Sequence, residues 1–290
     1  MALIEVQDLR YRYPDQQGLA LDGISFSVEP GEFVGIIGPN RAGKSTLCQA
    51  LVGLVPHFYK GAIGGRVVAD GLDVHKHPVA EVARRVGLVF QNPFTQISGA
   101  KFTVYEEVAF GLENAGVPRE EMIPRIEEAL RLLGLEELKD RSPFALSGGQ
   151  MQRLAIASVL AMRPKVLVLD EPTSQLDPEG TGEVFAAMAA LCRQGMAVVV
   201  AEHKVERLAP LAGKILVLHA GRRVAFDSPR RVFAREDLPA LGVAVPPVTE
   251  AARRLGWRFE DGTYPVTTEE AEELARKNLV AAGGGGGGRG

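Results

Sequence analysis

Three short and continuous apolar runs punctuate the chain. They are "EFVGIIG" (32–38), "KVLVLD" (165–170) and "MAVVVAEH" (196–203). A run that is apolar at every position is typical of a strand buried on both faces, as in a parallel sheet. Helical patterns separate the runs, so the sequence predicts an α/β fold.

The first section, roughly residues 1–30, has a different pattern. Polar and apolar residues alternate in "IEVQDLRYRY" and in "ISFSVEP". Alternation with a period of two is typical of strands with one face on the core and one face in water. We therefore expect an antiparallel β layer beside the parallel sheet.

Between about residues 92 and 164 the apolar period becomes helical. Residues 119–138 are predicted to form an amphipathic helix, with an apolar stripe on one side and charged residues on the other. A second helix is predicted over 150–164, and Pro164 is expected to end it. The stripe consists of Met122, Ile126, Ala129 and Leu133. This section is predicted to be a helical subdomain inserted into one core that spans residues 1–230.

The section after residue 230 is rich in Arg and Pro. A helix is predicted over 267–277, with Thr267 or Thr268 as its cap and Glu residues in its first turn. The Gly-rich segment 283–290 cannot pack, and it is expected to be a flexible tail. Residues 231–282 are therefore predicted to form a separate C-terminal extension.

Composition narrows the class of protein. A net charge of −3 argues against a nucleic-acid partner, which a basic excess would indicate. Cys48 and Cys192 are isolated on apolar segments, as expected of reduced core thiols. The N-terminus lacks the pattern of a signal peptide, and no apolar run approaches the ~18 residues of a membrane helix. We expect a chain that reaches a membrane only through a partner.

The stretch "GPNRAGKST" (38–46) fits the phosphate-loop template G-x-x-x-x-G-K-[ST]. It follows a predicted strand and precedes an apolar helix, whose N-terminus adds positive potential for phosphate. Lys44 is expected to reach the β- and γ-phosphates, and Ser45 to offer a hydroxyl to Mg²⁺. The predicted nucleotide-binding positions are Gly38, Pro39, Asn40, Arg41, Ala42, Gly43, Lys44, Ser45 and Thr46.

Two further motifs contain residues suited to catalysis or to anion binding. In "VLVLDE" an acidic pair ends a buried strand, where Asp170 is expected to hold Mg²⁺ through water and Glu171 to act as general base. Taken alone, the same letters also describe an ordinary turn. In "LSGGQ" (146–150), Ser147, Gly148 and Gly149 open a helix whose N-terminus can bind an anion, or they form a plain Ser N-cap.

Taken together and in this order, these motifs resemble those of ATP-binding cassette (ABC) ATPases. The resemblance rests on "GPNRAGKST", "LSGGQMQRLAIA", "VLVLDEPTSQLD" and the histidine of "VVVAEH", and it covers residues 1 to about 230. It implies a P-loop ATPase core that binds and hydrolyses ATP with Mg²⁺.

The resemblance also implies roles for residues outside the loop. Tyr13, or alternatively Tyr11, corresponds to the aromatic side chain that stacks on adenine; the other interpretation is a plain strand tyrosine. Gln91 corresponds to the glutamine that contacts Mg²⁺ and the lytic water and senses the transport partner. Asp177 corresponds to the aspartate that communicates across a dimer, and His203 to the histidine at the γ-phosphate.

In this family the phosphate loop of one subunit is completed by the "SGGQ" helix end of another. ATP is then bound between two subunits, here between Lys44 and the Ser147–Gln150 segment of an identical or paralogous chain. Many such loops have Gly where this chain has Arg41, which suggests a backbone with positive φ. Our hypothesis is that the Arg41 side chain points away from the phosphates, toward the second subunit.

Two stretches resemble the ATPases of energy-coupling factor importers, namely 91–114 and 241–275. The resemblance implies an integral membrane coupling subunit, a membrane subunit that binds a vitamin or a transition-metal ion, and a location on the cytoplasmic face of the membrane. It also implies that the C-terminal extension takes part in subunit pairing. His75 and His77 are expected in a polar loop rather than at a metal.

Three alternatives remain at this point. The chain could be a generic ABC importer ATPase with an unrelated tail. It could be a soluble ABC protein acting on DNA or ribosomes, although it has one cassette and no heptad insertion. It could also be a degenerate subunit that binds nucleotide without hydrolysing it. The presence of Glu171 and His203 argues against this alternative, whereas Arg41 in the phosphate loop leaves it open.

Overall fold

The computed structural model describes residues 1–283. Short 3₁₀ turns lie at Pro93–Thr95, Glu136–Leu138, Pro143–Ala145 and Pro239–Leu241. The strands are β1 (Ile4–Arg12), β2 (Leu21–Val28), β3 (Phe33–Ile37), β4 (Ala62–Ala69), β5 (Leu72–Asp73), β6 (Val86–Val89), β7 (Val166–Asp170), β8 (Ala197–Ala201), β9 (Lys214–His219) and β10 (Arg222–Asp227). The helices are α1 (Lys44–Leu51), α2 (Leu54–His57), α3 (Val79–Val82), α4 (Val104–Asn114), α5 (Arg119–Leu132), α6 (Gly148–Ala161), α7 (Pro178–Arg193), α8 (Val205–Leu208), α9 (Pro229–Phe233), α10 (Pro247–Leu255) and α11 (Thr268–Gly283).

A six-stranded sheet forms the centre of the fold, in the order β10-β9-β3-β8-β7-β6. All of its strands are parallel except β10, which pairs antiparallel with β9. Every residue of β3, β7 and β8 is buried, which confirms the α/β prediction from the continuous apolar runs. Because these strands are parallel, the segments that follow them meet at one edge of the sheet.

Each face of the central sheet has its own core. Alternate residues of a strand go to opposite sides, so Val34 and Ile36 join one cluster while Phe33 and Ile37 join the other. The first cluster lies toward α1 and a second, four-stranded sheet. The second cluster includes buried residues of α4 to α7. The sheet is therefore covered on both faces, as a parallel sheet requires.

The four-stranded sheet is antiparallel, with the order β2-β1-β4-β5. The sequence predicts β1 and β2 correctly but not β4 and β5. β4 begins with Ala62, Ile63, Gly64 and Gly65, of which three are exposed, so it lacks the alternation that marks a half-buried strand. Its pairing with β1 also contains a bulge between Gln7 and Arg10.

Residues 92–164 are helical, with α4, α5 and α6 as the main elements. The predicted helix over 119–138 is too long, because α5 ends at Leu132 and Gly134, at a φ of 62°, turns the chain before a separate 3₁₀ turn at Glu136–Leu138. The second predicted helix starts at Gly148 rather than Gln150. It ends at Ala161, ahead of Pro164.

The C-terminal section contains α10 and α11. Thr267 caps α11, since its hydroxyl accepts a hydrogen bond from the Glu270 backbone N–H at 3.2 Å. The Glu270 carboxylate accepts in return from the Val266 N–H at 2.8 Å. The predicted flexible tail lies, from residue 284 onward, outside the described residues. Among residues 1–283, no helix combines the length and apolar character that crossing a bilayer requires.

Candidate active site

The phosphate loop occupies the turn between β3 and α1. Gly43 has a φ of 101° and Arg41 a φ of 64°, both in the region that favours glycine. Gly43 is also required sterically, because a Cβ there would lie 2.7 Å from the Ala20 carbonyl oxygen. Helix α1 begins at Lys44, so its N-terminal N–H groups face the space above the loop. Such a terminus is suited to an anion.

Lys44 is 5% exposed and lies at the centre of the site. Its ammonium donates to the Gly38 and Pro39 carbonyl oxygens at 3.1 and 3.3 Å. Burial lowers the pKa of Lys44, while the negative charge of Glu171 acts in the opposite direction. The ammonium also lies 3.8 Å from a Glu171 oxygen, so one buried cation and one carboxylate share the site.

The three predicted catalytic residues come together at the sheet edge. Glu171 directly follows β7, and its Oε1 lies 2.9 Å from Nε2 of His203. Its Oε2 accepts a hydrogen bond from Nε2 of Gln91 at 2.7 Å. Glu171 has a φ of 49°, an uncommon backbone geometry that clusters at functional sites. Residues 91, 171 and 203 thus form one contact group although 80 and 32 positions separate them along the chain.

Asp170 has an unsatisfied acceptor that suits a metal ion. The side chain is 7% exposed, and its Oδ1 is buried without a hydrogen-bond partner among the described residues. Burial raises the pKa of Asp170, whereas a hydrogen bond from Ser45 lowers it. A carboxylate and a hydroxyl are hard oxygen ligands of the kind that Mg²⁺ prefers. Asp170 and Ser45 therefore fit the ion that the phosphate loop implies.

A buried network that no sequence pattern predicted holds His203 in place. Glu202 is 3% exposed, accepts a hydrogen bond from the Thr173 hydroxyl, and accepts another from the His203 N–H at 2.8 Å. The Lys204 ammonium donates a hydrogen bond to Thr181 Oγ1 at 3.1 Å. Glu202, the residue before the histidine in "AEH", could have indicated this network, because a charged side chain at the end of a buried strand needs hydrogen-bond partners.

A cavity of about 870 Å³ opens above the loop. Its lining includes Tyr13, Arg41, Lys44, Gln91 and Glu171. Arg41 is exposed and is one of the lining residues, and the direction of its side chain relative to the phosphates stays a prediction. The cavity has room for a nucleotide.

Tyr13, and not Tyr11, reaches this cavity. Tyr11 is 0% exposed, and its hydroxyl donates to the Lys60 carbonyl oxygen at 2.5 Å. Tyr13 lies one residue beyond the end of β1 and lines the cavity. Of the two tyrosines, Tyr13 is therefore the one placed at the cavity, and its stacking on adenine stays a prediction.

The "LSGGQ" segment and Asp177 lie outside the lining of this cavity. Ser147 caps α6, accepting from the Gln150 N–H at 3.2 Å, while the Gln150 side chain accepts from the Ser147 N–H at 3.0 Å. Asp177 caps α7 and accepts from the Gly180 N–H at 2.7 Å. Both are thus capping residues within the chain, and Gly148 and Gly149 remain partly accessible at the start of α6.

The second histidine of "DVHKHP", His77, contacts the backbone of β5. Nδ1 of His77 lies 2.8 Å from the Asp73 carbonyl oxygen, and His75 is partly buried. In the part of the chain that the structure describes, no three His, Cys, Asp or Glu side chains come together as a metal-binding group.

The sequence model of the ABC transporter family matches residues 21–174, which contain the phosphate loop and the Asp170–Glu171 pair. The chain belongs to this family. A Pyrococcus abyssi protein described as an ABC transporter ATP-binding protein is 47% identical over 248 residues, covering 85% of this chain and 88% of that protein. This ABC ATPase is also 41% identical over 247 residues to the energy-coupling factor transporter ATP-binding protein EcfA1 of Streptococcus thermophilus, covering 84% and 87%.

Solved structures agree with this assignment. CbiO1 of Clostridium perfringens, part of the ABC transporter complex CbiONQ, superposes with a TM-score of 0.72 at 32% identity, covering 88% of this chain and 96% of that one. A dimeric ATP-binding cassette, solved in a post-hydrolysis state with ADP and phosphate, gives 0.68 at 26% identity, covering 78% and 98%. This ABC protein is therefore an ATP-binding, ATP-hydrolysing subunit of a transporter.

The strain at Arg41 yields a test on the fold. Arg41→Ala and Arg41→Gly both remove the side chain, but only glycine adopts a φ of 64° without steric cost. We expect the glycine variant to be more stable than the alanine variant by about 1 kcal/mol, measured by chemical denaturation. Equal stabilities would contradict the left-handed backbone. Calorimetric titration with ATP of the same two variants tests whether the Arg41 side chain affects nucleotide binding. A large gain in ATP affinity over wild type would mean that the arginine impairs binding.

Proposed function

We propose that this chain powers a membrane importer of the energy-coupling factor type, which takes up a vitamin or a transition-metal ion. The observation that carries the proposal is the extent of similarity to EcfA1. The match covers 84% of the chain, more than the predicted cassette of residues 1–230, so it reaches into the C-terminal extension. A generic ABC importer ATPase is the second candidate, supported by the family match over residues 21–174.

The site residues divide the work of hydrolysis between them. The loop N–H groups of residues 38–46 and the Lys44 ammonium hold the β- and γ-phosphates, and Tyr13 stacks on the adenine. Ser45, Asp170 and Gln91 would hold Mg²⁺, which would neutralise charge that develops on the phosphates. Tyr13, Lys44, Ser45 and Gln91 line the same cavity, and Asp170 lies beside Ser45.

Glu171 accepts a proton from the attacking water. Its carboxylate oxygens contact His203 at 2.9 Å and Gln91 at 2.7 Å, so its orientation is fixed from two sides. His203 is itself held through its backbone N–H by the buried Glu202. A base held in this way needs little reorganisation when the water attacks the γ-phosphate.

A second ATPase subunit, identical or paralogous, completes the site. The Ser147–Gln150 helix end and Asp177 do not line the cavity of their own chain, and Gly148 and Gly149 remain partly accessible. A helix N-terminus from the partner would face the open side of the γ-phosphate and neutralise charge there. The C-terminal extension adds a pairing surface, on which Leu255 and Leu279 are exposed apolar side chains.

The membrane coupling subunit docks in an apolar groove of about 340 Å³ between α3, β6, α4 and α6. The groove lining includes Phe90, which directly precedes Gln91, and Gln91 in turn contacts Glu171. A helix from an integral membrane subunit fits such a groove, and its motion would reach the base through Gln91. This arrangement keeps the chain peripheral, on the cytoplasmic face of the membrane. The groove is lined by Leu54, Val79, Phe90, Phe110, Val159 and Met162, among others.

The test introduces one charge into the groove. Ala83 is exposed and lines the groove, so Ala83→Glu disturbs docking without filling the core. Ala186, exposed on α7, is the matched control as Ala186→Glu. We expect wild type and Ala186→Glu to copurify from detergent-solubilised native membranes with an integral coupling subunit and a small substrate-binding subunit, and Ala83→Glu to lose both.

The identified partners separate the alternatives. A membrane subunit without a separate substrate-binding membrane protein would favour a generic importer over the energy-coupling factor type. Copurification of ribosomal or DNA-repair proteins alone would overturn the transport proposal. Equal recovery with Ala83→Glu would remove the groove as the docking site while leaving the transport role standing.

A further inference from the structure

Tyr13 is held by two hydrogen bonds that no motif predicts. Its hydroxyl donates to Oε1 of Gln49 at 3.2 Å and lies 3.2 Å from Oγ1 of Thr46. Because a phenol has one proton and Gln49 Oε1 can only accept, the Thr46 hydroxyl is left to donate to Tyr13. Thr46 and Gln49 lie three residues apart on α1, on one face of the helix.

The ring of Tyr13 is also held by its aromatic neighbours. Tyr13 packs against Tyr11 in a T-shaped pair with centroids 4.8 Å apart and an interplanar angle of 79°. It forms a second such pair with Tyr59, at 6.4 Å and 80°. Tyr11 cannot move, because it is buried and its hydroxyl bonds to the Lys60 carbonyl. The ring plane of Tyr13 is therefore set by its two aromatic neighbours and by the hydrogen bonds of its hydroxyl.

We infer that Gln49 is a positioning residue for the purine base of the nucleotide, acting through the hydroxyl of Tyr13. The inference rests on the proposed role of Tyr13 in stacking on adenine. A tyrosine at a cavity loses side-chain entropy when a base orders it, and a bond already made before binding removes most of that cost. Thr46 belongs to the phosphate loop, so the same contacts tie the base-binding ring to the helix that binds phosphate.

The experiment compares ATP with inorganic tripolyphosphate, which has the phosphates but no base. Gln49→Met keeps the length and helix propensity of the side chain and removes the acceptor. We expect Gln49→Met to weaken ATP binding roughly two- to tenfold, as for one lost hydrogen bond, and to leave tripolyphosphate binding unchanged. Gln49→Glu, which retains an acceptor, should restore ATP affinity. Isothermal titration calorimetry measures both ligands.

A double-mutant cycle distinguishes positioning from a general effect on α1. In the Tyr13→Phe background, which lacks the hydroxyl, Gln49→Met should have no further effect on ATP affinity. Equal weakening of ATP and tripolyphosphate, or an undiminished effect in the Tyr13→Phe background, would overturn the inference.

Tyr13→Ala separates the inference from the proposed function on which it rests. If Tyr13→Ala leaves ATP affinity unchanged, the stacking role itself is wrong. If Tyr13→Ala weakens ATP binding while Gln49→Met does not, the stacking role stands and only the role of Gln49 falls.

Discussion

Replacing Glu171 with glutamine is expected to stop ATP turnover while ATP binding persists. The amide has the same shape as the carboxylate but cannot accept the proton of the attacking water. Loss of a positioned general base typically lowers a rate by about 10²–10⁴-fold. Phosphate release measures turnover, and equilibrium binding of ATP to the same preparation measures affinity.

The same variant should accumulate an ATP-bound dimer. If ATP is held between two subunits and its hydrolysis separates them, blocking hydrolysis keeps the subunits together. Size-exclusion chromatography with light scattering, in ATP and Mg²⁺, is expected to show a dimer for Glu171→Gln and a largely monomeric wild type after turnover. Glu206→Gln, an exposed glutamate on α8, serves as the matched control.

Two outcomes would contradict this account. Near wild-type phosphate release by Glu171→Gln would exclude Glu171 as the base. Loss of ATP binding would mean that its contacts with His203 and Gln91 are needed to form the cavity. The second outcome has a physical route, because an amide nitrogen facing His203 or Gln91 replaces an acceptor by a donor.

Three of the six strands of the central sheet, β3, β7 and β8, could be predicted because their signal is local, whereas β6, β9 and β10 were not predicted. Each apolar run of β3, β7 and β8 is buried at every position, and the motif residues follow the strands directly. Parallel strands then bring Lys44, Glu171 and His203 to one edge without any further information. The placement of these three residues therefore follows from the strand assignment, whereas the inclusion of Gln91, which follows the unpredicted strand β6, came from the family resemblance.

The features that were missed depend on distant partners. The Thr173–Glu202 contact joins residues 29 positions apart, and β4 is stabilised by β1 rather than by its own pattern. Tyr11 and Tyr13 have the same parity along a strand, so period-two reasoning gives them the same face. They differ because β1 ends at Arg12, which a sequence pattern does not locate to within one residue.

Replacing Gly38 with alanine is expected to damage both the fold and the ATP site. A Cβ at residue 38 would lie 2.3 Å from the Leu218 carbonyl oxygen and 3.1 Å from the Ala42 Cβ. Leu218 belongs to β9, which pairs with β3 up to Ile37, so the clash is with backbone at the sheet edge. We expect a loss of about 1–3 kcal/mol in the free energy of unfolding, as for overpacking elsewhere.

Gly38→Ala should also lower ATP affinity, because the Lys44 ammonium donates a hydrogen bond to the Gly38 carbonyl oxygen at 3.1 Å. Any shift that relieves the clash at residue 38 moves this oxygen and the ammonium that is to meet the phosphates. Calorimetry should show ATP affinity reduced together with thermal stability. Gly182→Ala is the matched control, since a Cβ there meets nothing within 4 Å and a helical alanine stabilises α7 by about 0.5–1 kcal/mol. ATP affinity equal to wild type in Gly38→Ala would show that the loop tolerates displacement from β9, and the close packing between them would then serve the fold alone.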